Sequence, residues 1–598
     1  MSALLAAALG TWLGIQALRM TLAMVIWNVA EDNTGYAGEV AVIIWTLGIA
    51  GSFLVRLLPV RRLDLWLGAL FAILVVLRQA FPGENTSPAF AFAAWVAWMW
   101  WLPAILRRSA RAEVATGIVL GVALQVAGQI ALHGLDLELL QGLAPVVATV
   151  VLVVAFALAL ASVPAARPAE GGAWGAFAVG PYLFLELTLL ANLGRLEMIS
   201  GLGPVPVQLV SAAGFTVALA SMAFGPPRIV TLVLALLAVA AAAVATTSVG
   251  AGVLVLLIVA QAGLALALLG AFTGGSWPFD ARIHALGAAG MVVLFALVFV
   301  FYSYRDRGEL LWPVAALIAV LPGVFAVPAM RRTWRPAIAA AAVIIVALLV
   351  GLVPPPSRPV PAIARDGLAV LTYNLHQGLD YWSVPSAEAL AERIEGIDAD
   401  LVALQEVNRG WDLSAGIDLF AYLRWRLPQY HAVYGRMDTD LFGNAILSRY
   451  PISESGVGIL PHLNSALNRG YVWATVDAPG GLLLFVSTHF TAYEGFDEER
   501  IAQADAYAAF WAKRPRSILA GDYNSHPEDA SITRLTAAGL VDAPAAVGLG
   551  KTFTYSSGAP HERIDYVFVS PDLVPQSASV LEGTASDHSP VLVTIRAR

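Results

Sequence analysis

As far as about Leu352 the chain is a succession of apolar stretches, most of them long enough to cross a bilayer, and this decides the first half of the fold. A spanning helix needs about 20 mostly apolar residues, and within hydrocarbon only a helix or a closed barrel satisfies its own backbone. About thirteen stretches qualify on that length rule, centred near Gly14, Leu47, Leu70, Val96, Val122, Val151, Leu183, Val217, Leu236, Val259, Val292, Val320 and Ile344. The segment from Ile229 to Phe272 admits more than one division. With 58% hydrophobic and 13% charged residues, the chain is too apolar for a string of water-soluble domains. The first stretch, near Leu4 to Ala30, contains Arg19 and is succeeded by further spans, so a retained helix is expected rather than a cleaved signal peptide.

Arginines in the connectors carry the orientation. One alternating set holds Arg56, Arg61, Arg62, Arg107, Arg108, Arg111, Arg167, Arg228, Arg282, Arg331, Arg332 and Arg335; the other holds Arg78, Arg195, Arg305 and Arg307. This bias predicts a cytoplasmic N-terminus and, after an odd number of spans, an extracytoplasmic C-terminal domain. Charged and polar groups at membrane depth are Arg19, Glu186, Asn28, Gln125, Gln129 and Asn192. They are expected to pair between helices, with a lipid-headgroup or substrate pocket as the alternative. Trp95, Trp98, Trp100 and Trp101 read as an interfacial aromatic belt. This half shows no internal repeat and no nucleotide-binding motif.

The chain lacks cysteine, which excludes disulfides, thiolate catalysis and Cys-ligated zinc. A stiff Pro-rich linker beginning Pro354-Pro355-Pro356-Ser357-Arg358-Pro359 is expected to hold the C-terminal domain close to the membrane surface. From Leu368 onward, strand-like and helix-like patterns alternate. Strands are expected over Leu368–Leu375, Leu401–Glu406, Leu482–Thr488, Ser517–Ala520, Ile564–Val569 and Pro590–Ile595, and helices over Ser386–Ile397 and Asp497–Lys513. The aromatic segment with Trp411, Phe420, Tyr422 and Trp425 is expected to pack as a helix on the sheet, the alternative being a dip toward lipid.

Polar residues stand at the ends of these strands: Asn374 in Thr-Tyr-Asn-Leu-His, Glu406 in Leu-Gln-Glu, His489 in Ser-Thr-His, Asp522 and Asn524 in Gly-Asp-Tyr-Asn, Asp565 in Ile-Asp-Tyr, and Asp587 and His588 in Ser-Asp-His. Gathered on one rim, such carboxylates and amides can hold a hard cation. Each motif alone is commonplace, a turn or a cap, but here they occur together and in order. With Gly-Asn-Ala-Ile-Leu-Ser-Arg-Tyr-Pro-Ile from Gly443, the set resembles the endonuclease/exonuclease/phosphatase superfamily of DNase I-like fold, over essentially the whole chain from about Leu368. The resemblance implies a four-layer α/β sandwich and Mg2+- or Mn2+-dependent cleavage of phosphate esters.

The organisation expected is therefore a polytopic α-helical membrane domain over residues 1–353, a linker over 354–366 and the catalytic domain over 367–598. By the resemblance, Glu406, Asn374 and Asp587 would bind the cation. Asp522 and Asn524 would orient water and a phosphate oxygen, His588 would act as acid or base with its tautomer fixed by Asp565, and His489 would contact phosphate. Either Asp522 or His588 could take the proton from water. His376 occupies a place where some nucleases carry an acid, and Arg449, Arg469 and Arg500 are candidate phosphate clamps.

From Arg358 onward the sequence carries about 18 Lys and Arg against about 28 Asp and Glu, without the basic track by which a nuclease grips a phosphate backbone. Nucleic acid is accordingly not expected as a partner. The expected partners are membrane lipids and a lipid-linked phosphate ester. The order of domains is also similar to the fungal cell-wall-biogenesis proteins that remodel glycosylphosphatidylinositol-anchor lipid, which implies phosphoinositol- or sphingolipid-like headgroups. A surface-anchored nuclease or nucleotide phosphoesterase is one alternative; a lipid-binding or transport module with a dormant domain is another.

Overall fold

Long runs of Leu, Val, Ala and Phe with few breakers form helices in the first half, and β-branched runs punctuated by Gly and Asp form strands in the second. The computed structural model describes residues 2–30, 46–52, 54–55, 57–58, 60–83, 86–164, 172–274, 282–303, 307–324, 334–355, 367–465, 467–492 and 494–597. The linker from Pro356 to Asp366 lies outside them, as do Arg56, Arg167, Arg305, Arg331, Arg332 and the side chain of Asn28. The chain divides into two compact units: Met1–Val353 with Asp412–Gly416, and Pro354–Trp411 with Ile417–Arg598.

The first unit is helical and makes the chain a multi-pass membrane protein. Among the described residues 9 helices are long and apolar enough to span a bilayer, or 10 if Trp174–Leu190 and Leu193–Ser200, bent by 51°, count as one broken span. The expected thirteen are not matched. Gly308–Val324 and Arg335–Gly351 are apolar but fall short of bilayer length, and the stretch around Leu47 runs into residues outside the described ones. The segment from Ile229 to Phe272 resolves into Arg228–Ala245 and Ala251–Thr273.

The tryptophan belt is corrected. Trp95, Trp98 and Trp101 are fully buried among helices, with Trp95 and Trp98 stacked at 5.0 Å. The rings are received by glycines: a Cβ on Gly14 would stand 2.4 Å from Trp98, and one on Gly10 2.5 Å from Trp101. Small residues that let bulky neighbours approach are how membrane helices pack without a hydrophobic driving force. Most polar groups pair inside the unit, as expected. Arg19 donates to Asp136 at 3.2 Å, and Gln125 donates to the same carboxylate.

The second unit is a two-sheet α/β domain. One sheet has the order β11-β12-β1-β2-β4-β3 and the other β5-β6-β7-β8-β10-β9. The strands are β1 (Leu368–Asn374), β2 (Leu401–Asn408), β3 (His431–Thr439), β4 (Phe442–Ser448), β5 (Ile452–Ile459), β6 (Gly470–Ala478), β7 (Gly481–His489), β8 (Ser517–Asp522), β9 (Val541–Asp542), β10 (Asp565–Val569), β11 (Leu573–Val580) and β12 (Val591–Ala597). β1 runs parallel to β2 and β7 parallel to β8; the other pairs are antiparallel. Val370, Leu401, Ala403 and Ile446 of the first sheet meet Val472, Phe485, Ile518 and Val567 of the second in a continuous core. Tyr507 and Trp511 of helix Asp497–Trp511, and Ile532 and Leu535 of helix Ala530–Ala537, cover the outer face of the second sheet. Phe420 and Tyr422 of helix Leu419–Arg426 are buried, as is Trp411, so the aromatic segment packs inward.

Glu499, on helix Asp497–Trp511, ties down the loop after β5. One carboxylate oxygen accepts from the backbone N–H groups of Leu463 (3.0 Å), Asn464 (2.9 Å) and Ser465 (3.2 Å), and the other accepts from the hydroxyls of Ser465 and Thr491. Burial works upward on its pKa, yet these donors prevail and hold it at about 2. The folded-state value is thus depressed, so the stabilisation is complete above the ordinary glutamate value of about 4.3 and is lost as pH falls toward the folded value. Acid titration of thermal unfolding should show this loss between about pH 4 and about pH 2, and Glu499→Gln should flatten it while costing about 1–3 kcal/mol near neutrality.

Candidate active and metal centre

Strand register assembles the site on the second sheet. In the parallel pair of β7 and β8, His489 lies opposite Asp522; in the antiparallel pair of β8 and β10, Asp522 lies opposite Asp565. The three side chains therefore form a row across three neighbouring strands. β8 can approach β7 this closely because residue 521 is glycine: a Cβ there would stand 2.1 Å from the Thr488 carbonyl oxygen. His588, in the loop before β12, completes the group. Its Nδ1 donates to Asp565 Oδ2 at 2.9 Å, and its Nε2 lies 3.6 Å from Asp522 Oδ2.

The first sheet contributes from the facing rim. Asn374, the last residue of β1, donates from Nδ2 to Asp522 Oδ2 at 2.9 Å. Glu406 lies where the register between β2 and β4 shifts, and its backbone takes φ 54°. A bulge of this kind re-aims a side chain; Glu406 is half-buried and its Oε2 accepts from Gln377 Nε2 at 3.1 Å. His376 (φ 43°), Gln377 (φ 59°) and Asn524 (φ 47°) also adopt the left-handed region, so strained backbone gathers at this rim, as it does at functional sites.

Electrostatics divides the site in two. Burial, and after it the facing carboxylate of Asp587, push Glu406 upward; His376 Nδ1 stands 3.7 Å from Asp587. His376, Arg469 and His588 draw Glu406 only partly back, and among the described residues neither acid has an arginine or lysine in ion-pair contact, an arrangement a divalent cation relieves. In the second group burial raises Asp522 to about 7, with His588 pulling the other way. Burial works downward on His588, but Asp565, Asp587 and Asp522 outweigh it and hold the imidazolium well above the usual histidine range. His489 is held well below that range by burial and by Arg469. Arg469 Nη1 lies 2.9 Å from His489 Nδ1 and can only donate, so the proton of this neutral ring sits on Nε2, 3.4 Å from Asp522.

The residues present fit a metal. Asp522, Asp565 and His588 offer ligand atoms within 4.8 Å of one another, and Asp565 Oδ1 is buried without a hydrogen-bond partner. This buried cluster could coordinate a divalent ion, without being specific to Mg2+ or Mn2+. By the sequence its members are expected as catalytic groups rather than as ligands; Glu406, Asn374 and Asp587, expected as ligands, lie beside it. Asn524 turns its side chain away, donating to the Phe490 carbonyl at 3.1 Å, and meets Asp522 through its backbone N–H at 2.9 Å. Of the three candidate clamps only Arg469 reaches the site. Arg449 pairs with Asp398 and Arg500 with Asp497. Sequence reasoning missed Gln377, which announces itself only by its bond to Glu406, and Ser586, whose hydroxyl donates to the Asn374 carbonyl at 2.8 Å and to Asp587 at 3.1 Å.

A two-sheet fold carrying this cluster defines a metal-dependent phosphoesterase domain. Residues 371–588 match the Endonuclease/Exonuclease/phosphatase family, and the C-terminal part of the chain forms a domain of that superfamily. Among solved structures the chain is similar to an endonuclease/exonuclease/phosphatase from Beutenbergia cavernae DSM 12333, at 25% identity over 39% of this chain and 72% of that one, with TM-score 0.36. It is also similar to mannosyl-6-phosphatase Bt3783 of Bacteroides thetaiotaomicron VPI-5482, at 22% identity over 38% of this chain and 99% of that one, TM-score 0.33. A third is D. rerio TDP2 complexed with single strand DNA product, at 20% identity over 39% and 100%, TM-score 0.33. No curated protein matches the chain. Two expectations are corrected here. The exclusion of nucleic acid as a partner does not stand, because the family matched by residues 371–588 includes endonucleases and exonucleases. The resemblance to fungal glycosylphosphatidylinositol-lipid remodelling proteins receives no support from the comparisons.

Asp565 is one of three carboxylates that keep His588 charged, and the one hydrogen-bonded to it. Asp565→Asn should therefore move the NMR-detected titration of His588 downward in metal-free, full-length protein. An unchanged midpoint would uncouple the two residues.

Proposed function

We propose that the C-terminal domain hydrolyses a phosphate ester of the nucleotide, nucleic-acid or sugar-phosphate kind, with the helical unit serving to hold it at a membrane. The observation that carries this reading is the convergence of Asn374, His489, Asp522, Asp565 and His588, from four strands and a loop, within hydrogen-bond or ion-pair reach of one another. The family matched by residues 371–588 joins nucleases with phosphatases, so the class of substrate is a phosphorylated nucleic acid or small molecule. A lipid-linked headgroup, expected from the acidic charge of the soluble half, its place beside a membrane and the order of domains, has no such support. Extracytoplasmic placement of the domain rests on the arginine asymmetry of the connectors by itself, because the nine or ten spans among the described residues set no parity.

Glu406 and Asp587, with Asn374 beside them, would hold the cation, which would neutralise phosphate charge and stabilise the developing oxyanion. Asp522, near neutrality in its proton affinity and oriented by Asn374 and the Asn524 N–H, accepts the proton of the attacking water. His588, charged and locked through Nδ1 to Asp565, presents Nε2–H to a phosphoryl oxygen. His489 donates from Nε2, its tautomer set by Arg469.

Full-length protein with Mg2+ or Mn2+ should turn over bis-(p-nitrophenyl) phosphate and at least one of a nucleotide, single-stranded DNA or a sugar phosphate in preference to lipid phosphodiesters. His588→Ala and Asp522→Asn should each lower kcat by about 10²–10⁴-fold. Cleavage confined to lipid substrates would overturn the substrate class, and turnover independent of metal would overturn the mechanism. Gln377→Ala, which removes the donor to Glu406, should weaken Mn2+ binding measured by calorimetry about 10–100-fold. Unaltered affinity would place the cation away from Glu406.

A further inference from the structure

In the helical unit the span between Trp174 and Ser200 is broken. Helix Trp174–Leu185 passes into a π turn at Glu186–Leu190 and then, bent by 51°, into Leu193–Ser200. π turns and interrupted spans release backbone groups that lipid cannot satisfy, and membrane proteins keep them where a site requires them. Asn192 mends part of this break, donating to the Leu187 carbonyl at 3.1 Å and accepting from the Arg195 N–H at 3.0 Å.

Glu186 opens the π turn and is completely buried. Its Oε1 accepts from Gln261 Nε2 at 2.6 Å, across from helix Ala251–Thr273, while its Oε2 has no hydrogen-bond partner. Three other buried acids of the unit are matched by arginines: Asp64 by Arg108 at 2.9 Å, Asp136 by Arg19 at 3.2 Å and Glu138 by Arg78 at 3.3 Å. Among the described residues none matches Glu186. The packed elements carry Arg195, Glu197, His284, Tyr302 and Glu309, but the groups that act on Glu186 are Tyr182, one turn back, and Gln261. Arg195 faces Glu309 at 3.4 Å. Beside Gln261 lies a cavity of about 20 Å³ bordered by Ser211, Gly214, Phe215 and Leu257. That is room for one water, and the Ser211 hydroxyl has no partner there.

We propose that Glu186 is a proton-exchange site of the membrane unit, its carboxylate taking a proton from water in the neighbouring cavity and returning it there. An unpaired carboxylate at membrane depth is costly, and taking up a proton removes the charge without a counter-ion. Gln261 donates to the acid and borders the cavity, so it links Glu186 to the space that a water would occupy. Bound to a break in its helix, the acid can change charge without disturbing a continuous ladder. The inference is independent of the chemistry of the C-terminal domain.

Dicyclohexylcarbodiimide tests it on the unaltered, full-length protein in lipid vesicles. The O–H of a protonated carboxyl adds across an N=C bond of the reagent, and rearrangement leaves an N-acylurea that retains every atom of both. Peptide mass spectrometry should find this adduct at Glu186, falling roughly tenfold per pH unit above the midpoint of the site, and Glu186→Gln should lose it. A packing residue would label to one extent at every pH or not at all, and either result overturns the proposal. So does protection by Na+ at constant pH, which would mark a cation site instead.

Discussion

The candidate site depends first on the register of β8 between β7 and β10. Hydrogen bonding of backbones, which takes no account of side-chain chemistry, sets Asp522 directly across from His489 on one side and Asp565 on the other. A slip of one residue in either pairing would turn the partner to the opposite face of the sheet and dismantle the row. The register in turn relies on the close approach permitted at Gly521 and on the Ile518, Val567 and Phe485 core behind it. The chemistry at the rim is thus secured by apolar burial beneath it.

Given that row, the proton inventory is set by burial and charge. A buried Asp522 alone would favour its neutral form; the imidazolium of His588 draws it back, and the carboxyl settles at about 7 while the ring stays charged. Asp565 has one oxygen committed to His588 and the other buried without a hydrogen-bond partner, so it fixes the ring and keeps an acceptor unused. On the first sheet the strained backbone at His376, Gln377 and Glu406 brings acid and amide groups to the same rim, which an unstrained strand end would direct elsewhere.

Much of this is legible in the sequence, for a physical reason. Strands buried on both faces read as continuous apolar runs, so β1, β2, β7, β8, β10 and β12 are found within a residue or two of their ends, and the polar residue closing each run is conspicuous. β3, β4, β5, β6, β9 and β11 are not among the expected strands: β5, for one, alternates half-buried with exposed positions and contains Ser and Gly, the signature of an edge. Hydropathy locates the membrane helices but does not measure them, since an apolar run continues past the residue at which a helix ends. Nor does it separate lipid-facing from helix-facing tryptophans, because both surroundings are apolar; the glycines at positions 10 and 14 are the signal that Trp98 and Trp101 turn inward. Gln377 and Ser586 leave no trace because their roles exist only across space.

One rule accounts for where function falls in both units. A buried charge is tolerated when an opposite charge or a full set of hydrogen bonds answers it. Asp64, Asp136 and Glu138 are answered by arginines, and Glu499 by five donors, and each of these serves the fold. Glu406 and Asp587 face each other with only partial relief from His376, Arg469 and His588, and one oxygen of Glu186 lacks a hydrogen-bond partner. Structure alone does not repay these arrangements. On the proposals made above, a divalent cation would complete the first and a proton the second, so the imperfectly compensated acids would be the ones whose partner comes from outside the chain.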